Sequence, residues 1–121
     1  MATFIEVNGN RYEASITGRL NDKDWGNRES KAIEVEMTYE EAKNIFVDDV
    51  NWNIVMQNTV NIPHFNDENK EIMIPTTEEE IYDNSEYSIA GSITDHRDGT
   101  VTVKMGKPTA EELLAIFEEV L

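Results

Sequence analysis

Tyr87-Ser88-Ile89-Ala90-Gly91-Ser92-Ile93-Thr94 runs through Asp95-His96-Arg97-Asp98-Gly99 into Thr100-Val101-Thr102-Val103-Lys104-Met105. Tyr87, Ile89, Gly91 and Ile93 alternate with Ser88, Ala90, Ser92 and Thr94, and Val101, Val103 and Met105 alternate with Thr100, Thr102 and Lys104. Successive strand side chains point to opposite faces, so each half reads as a strand with one face in a core. Asp98-Gly99 supplies turn chemistry between them. The stretch predicts a long β-hairpin over 87–105, and with it a mainly antiparallel sheet.

Further strands follow on both sides. Ile5 and Val7 alternate with Phe4 and Glu6, and Tyr12, Ala14 and Ile16 with Arg11, Glu13 and Ser15. Asn8-Gly9 lies between them, and Asn-Gly supplies the two positive φ angles of a type I′ turn. Residues 3–17 therefore predict a second hairpin. Ile33, Val35 and Met37 alternate with polar neighbours, as do Trp52, Ile54 and Met56. Thr38 with Glu41, and Thr109 with Glu112, form capping boxes ahead of apolar residues at helical spacing. Tyr39, Ala42, Ile45 and Phe46 mark a helix at about 39–48, before Asp48-Asp49. Leu113, Ile116, Phe117 and Val120, with Leu114 and Leu121 beside them, mark another at 110–121. Such a stripe belongs to a core, or to another chain if it outgrows its own.

Two stretches carry no period. Residues 18–30 are polar, with two glycines, and predict a loop. Trp25 sits inside it, either pinning the loop to the core or presented to a partner. Within 58–85, Pro63 and Pro75 punctuate and 66–70 reads as a turn. Ile72 and Ile74 read as a short edge strand, because Pro75 cannot sit in a central one. Thr77-Glu78-Glu79-Glu80 reads as the start of a helical turn. The expected fold is β-rich α+β: one domain over 1–121, its antiparallel sheet curled as a small barrel or sandwich, with two short amphipathic helices.

Composition narrows the functions. The net charge of −15 opposes contact with phosphate backbones and anionic membranes. It serves solubility, a basic partner, or mimicry of DNA by carboxylates. The chain has no cysteine, which removes disulfides, thiolate metal sites and thiol nucleophiles and fits a cytosolic folding environment. It has no run of about 18 apolar residues that would span a membrane, and the N-terminus reads as a strand rather than a signal peptide.

Chemical motifs are sparse. No glycine-rich phosphate loop and no nucleophile elbow occurs. The two histidines, His64 and His96, fall in separate segments without zinc spacing. Asp22-x-Asp24-x-Gly26 departs from a calcium loop, with glycine one position early and Ile33 where a carboxylate is needed. No catalytic, metal or cofactor residues are therefore assigned, and the chain reads as a non-enzyme. The expected protein-contact residues are Trp25, for its aromatic area, and Asp95, His96, Arg97 and Asp98, for their position at a projecting tip.

Residues 82–107, from Tyr82-Asp83-Asn84-Ser85 to Lys104-Met105-Gly106-Lys107, together with Asn21-Asp22-Lys23-Asp24-Trp25-Gly26-Asn27-Arg28-Glu29-Ser30-Lys31-Ala32, resemble small proteins encoded in phage and prophage structural modules of Gram-positive bacteria. The resemblance covers about a third of the chain and brings no catalytic residues. It implies a virion-assembly or tail-associated role, or that of an accessory protein of a prophage. The chain is expected to be made in the cytoplasm and to work through a protein partner or through self-assembly as a homo-oligomer. Two alternatives stand beside it: an acidic DNA mimic that inhibits a basic DNA-handling enzyme, and a small carboxylate-dependent hydrolase.

Overall fold

Asn8 and Gly9 both take positive φ, 52° and 79°, and close the tight turn of the first hairpin. A computed structural model describes residues 2–120, leaving out the side chains of Phe117, Glu119 and Val120. In chain order the elements are β1 (Ala2–Val7), β2 (Asn10–Asp22), β3 (Arg28–Glu36), α1 (Tyr39–Ile45), β4 (Trp52–Phe65), β5 (Glu71–Asp83), β6 (Ile89–Asp95), β7 (Thr100–Gly106) and α2 (Ala110–Val120). A short 3₁₀ turn, Lys23–Trp25, links β2 to β3.

All paired strands are antiparallel, in the order β5-β4-β1-β2-β3-β7-β6. Among the described residues no ladder joins β5 to β6, so the sheet stays open rather than closing into a barrel. It curls at β2, which pairs with β1 over Asn10–Glu13 and with β3 from Ala14 onward. The two halves enclose one core. Ile5, Val7, Trp52 and Ile54 come from one half, and Ile33, Val35, Val101, Val103 and Met105 from the other. Helix α1 lays buried Ala42 and the following Phe46 on this core. The fold is thus a β-rich α+β sandwich, as the periodicity predicts.

Several boundaries differ from expectation. Residues 18–22 continue β2 instead of forming a loop, because Gly18, Arg19 and Asp22 pair with Lys31, Ser30 and Arg28. Helix α1 stops at Ile45, short of 48. The chain beyond it is stitched to the start of β6: Asp49 N–H donates to Ser88 O at 2.8 Å, and Ala90 N–H to Asp48 Oδ1 at 2.8 Å. Thr77–Glu80 is not helical but lies in β5 opposite Met56–Thr59, where ladder pairing overrides the helix propensity of glutamate. The short edge strand expected at Ile72 and Ile74 is 13 residues long, though it does lie at the edge.

Helix α2 forms with its full capping box: Glu112 N–H donates to Thr109 Oγ1 at 3.2 Å, and Thr109 N–H donates to Glu112 Oε1 at 2.9 Å. The described part of its stripe does not enter the core. Leu113, Leu114 and Ile116 are each more than half exposed. Leu121 and the side chains of Phe117 and Val120 lie outside the described residues.

Candidate functional site

Among the described residues β1 pairs with β4 as far as Ala2 opposite Gln57, whereas β4 and β5 stay paired out to Phe65 opposite Glu71. From Asn58 onward these two strands pair, among the described residues, only with each other. They form an arm about 27 Å long at the usual rise per strand residue. Asn66–Lys70 turns it: Asn66 N–H donates to Lys70 O at 3.0 Å, and Asn69 takes φ 60°, the left-handed position of a three-residue hairpin loop.

The register explains how two prolines fit. Counting back from the hydrogen-bonded pair Asn66–Lys70, Pro63 opposite Met73 and Pro75 opposite Asn61 both fall in non-hydrogen-bonded pairs. Each missing N–H would have pointed outward, so no rung of the ladder is lost. One donor is instead removed from each outer edge of the arm.

Arm side chains divide by parity. Val60, Ile62, His64, Ile72 and Ile74 extend the face that carries Ile54 in the core. Pro63, Phe65, Met73 and Pro75 lie on the other face, with Phe65 71% and Met73 55% exposed. Residues 58–66 and 72–77 contain no Asp, Glu, Lys or Arg, in a chain where 29% of residues are charged. Charge returns at the base, where Arg11 Nη1 meets Glu79 Oε1 at 2.7 Å and Arg11 Nη2 meets Glu6 Oε2 at 3.0 Å. Gln57 Nε2 also donates to Glu79 Oε1 at 2.7 Å. Arg11 thereby ties β2 to β5 across the two strands between them.

Helix α2 leaves the other end of the sandwich, where polar side chains form a clasp. The Tyr87 hydroxyl donates to Glu29, and Lys31 donates to Asn84. Lys107 Nζ lies 3.3 Å from Glu29 and 3.4 Å from Glu86. Lys31 and Lys107 stand 4.5 and 5.0 Å from the centroid of the Tyr87 ring. Burial, with Glu29 adding to it, pushes the Tyr87 phenol far up, and burial holds the Lys31 ammonium down. Trp52 Nε1 donates to Tyr87 O at 3.2 Å and fixes the clasp to the start of β4. Among the described residues no buried side-chain polar atom lacks a partner.

Trp25 belongs to this end. Its ring lies over Gly91 and Gly106, where an added Cβ would come within 2.6 and 2.8 Å of it. The Arg28 guanidinium covers it at 4.8 Å and pairs with Glu112 of α2 at 2.8 Å. Of the two roles open to Trp25, the geometry shows it pinning the β2–β3 turn, with β6 bulged at Gly91-Ser92 beneath it. The Asp22 carboxylate that the calcium-like spacing singled out is buried and already matched. Lys104 Nζ and Ser30 Oγ each lie 2.9 Å from its Oδ2. Lys104 is the main cause that holds this carboxyl below its ordinary range.

Asp95, His96, Arg97 and Asp98 sit at the opposite end of β7 from Trp25, about 20 Å away along the strand. Their polar groups serve the turn: Asp95 Oδ1 accepts Arg97 N–H, Asp98 Oδ1 accepts Thr100 N–H, and His96 Nε2 shares a 2.7 Å hydrogen bond with Thr102 Oγ1. This tip stops level with β3, whose Glu36 pairs with Thr100, so the hairpin that projects from the sandwich is β4–β5. The sequence-predicted contact residues are therefore not brought together. Sequence reasoning missed Ile62, Phe65, Ile72, Met73 and Ile74; the uncharged run around a turn was the available signal.

Among the described residues, no three His, Asp or Glu side chains gather as a metal cluster. The perturbed carboxyls, Asp22, Glu29, Glu79, Asp83, Asp98 and Glu112, are all held below their ordinary range. Among the described residues, no helix is long and apolar enough to cross a membrane. Comparison with protein-family models, curated proteins and solved structures finds no match.

Proposed function

We propose that this chain is a non-enzymatic structural module that assembles with copies of itself through the β4–β5 arm, in the setting of a phage or prophage virion or tail. The observation that carries this reading is the arm: two strands standing clear of the core, uncharged over 58–65 and 72–77, with apolar side chains exposed on both faces. Surfaces of this kind mark contact sites on otherwise polar proteins. The resemblance of 82–107 and 21–32 to phage structural proteins supplies the setting. DNA mimicry would need carboxylates in rows. Those at the arm's base instead alternate, Glu78 and Glu80 on one face and Glu79 on the other, bound by Arg11.

Sedimentation velocity over a range of concentrations tests the proposal. The chain is expected to form species heavier than the monomer in a concentration-dependent way. Ile62→Asp with Ile74→Asp is expected to return it to the monomer with its near-ultraviolet circular dichroism unchanged. A chain that stays monomeric throughout, or oligomers indifferent to the two aspartates, would overturn it.

A further inference from the structure

We propose that the arm of one copy is covered by helix α2 of the next, so that the chain assembles head to tail. This rests on the self-assembly reading and names the surface that meets the arm. Exposed apolar side chains gather most densely on two elements, the arm and α2 with Leu113, Leu114 and Ile116, while Leu20 of β2, Tyr39 and Val47 around α1, and Ile81 and Tyr82 of β5 are exposed elsewhere. The arm and α2 stand at opposite ends of the sandwich. β4 starts at Trp52, beside Tyr87 and the clasp from which α2 departs, and gives rise to the arm only beyond Gln57. That is about 20 Å further along the strand. Ala2, opposite Gln57, lies near Glu36 and Thr100, and Arg28 at the far end of β3 holds α2 through Glu112. An arm and a helix that leave one body from opposite ends meet between copies stacked in the same sense.

The chemistry of the two surfaces favours a helix on the arm's face over a strand on its edge. Pro63 and Pro75 remove an outward donor from each edge, which blunts strand addition. The faces keep Ile62, Ile72 and Ile74 on one side and Phe65 and Met73 on the other. Helix α2 is about 16 Å long, shorter than the arm it would lie on. Helical spacing puts Glu111 and Glu118 on the side away from Leu113 and Ile116. Charge selects a second copy as well. A surface built for a basic partner would present carboxylates, whereas residues 58–66 and 72–77 present none. The middle of the arm, between the carboxylates of its tip (Asp67, Glu68, Glu71) and its base (Glu78), offers an acidic helix no like charge to repel it. The contact is heterologous, each copy giving a helix and receiving one, and such contacts propagate as rings or filaments.

A mixing experiment decides it. One variant carries Ile62→Asp and Ile74→Asp in the arm, and the other carries Leu113→Asp and Ile116→Asp in the helix. Each alone is expected to be monomeric. Mixed in equal amounts, they are expected to give a species of twice the monomer mass, because the intact helix of the first meets the intact arm of the second and growth stops there. The chain has no cysteine. Leu113→Cys in one copy and Ile74→Cys in another should therefore form a mixed disulfide-linked dimer in preference to either self-linked one, with no native thiol to compete. Assembly by the helix variant alone, or an Ile74→Cys chain that links mainly to itself, would overturn the arm–helix contact and leave self-assembly standing. A wild-type chain that remains monomeric would overturn both.

Discussion

Ile54 and Ile62 lie on one strand, on one face, eight residues apart, and their surroundings differ completely. Ile54 is 6% exposed, flanked by Ile5 and Tyr82 on the neighbouring strands and enclosed by the opposite half-sheet. Ile62 is 37% exposed, with Ile74 its one cross-strand partner among the described residues. The same residue type in the same backbone thus holds the body together at one position and offers itself to a partner at the other. Hydrophobic burial inside the chain is concentrated in the body, where each enclosed aliphatic side chain contributes about 1.5–3 kcal/mol of transfer free energy. The arm has no comparable source. Its order comes from the ladder, the Asn66–Lys70 turn and the Arg11 clamp at its base.

The largest effect expected from testing this contrast is at Trp52. It is 1% exposed, stacks edge-on against Tyr87 at 6.3 Å and donates to its carbonyl. Trp52→Ala should cost about 3–5 kcal/mol in urea unfolding followed by circular dichroism. A loss below about 1 kcal/mol would mean that the body is not the cooperative unit described above. A smaller effect is expected at Gly91, where the Trp25 ring leaves no room for a Cβ. Gly91→Ala should cost about 1–3 kcal/mol, because the ring is backed by Arg28 and has little freedom to retreat. In the double variant with Trp25→Ala, that additional cost should vanish. Strict additivity would show that the cost of the alanine does not come from the Trp25 ring.

The body was largely legible from local pattern and the arm was not. Asn8-Gly9, the alternation over 87–105 and the two threonine capping boxes each specify their element within a few residues, and each formed. The arm is defined by pairing between residues up to 20 apart, and its local signals point the wrong way. Pro63 and Pro75 read as breakers, yet their position relative to the ladder's hydrogen bonds makes both harmless, and that position appears only once the register is known. Thr77–Glu80 favours a helix until β4 lies beside it. The stripe of α2 was visible, but periodicity reports that a helix has an apolar face and not what that face touches. Trp25 was legible as an anomaly in a polar stretch; its partners, Gly91 and Gly106, are more than sixty residues away.

The two prolines also supply the mildest test. Restoring the donors with Pro63→Val and Pro75→Val leaves every rung in place and touches no core residue. Unfolding free energy should therefore change by no more than about 0.5 kcal/mol. The edges, however, would each present an unbroken row of outward N–H and C=O groups on a ribbon that is uncharged over 58–65 and 72–77, which is a template for strand-on-strand addition. Purified variant should then form thioflavin-binding aggregates at concentrations where the parent chain gives only discrete assemblies. If instead it assembles as the parent does, the prolines are not what keeps the arm's edges from pairing. The preference for its faces would then rest on side-chain chemistry alone.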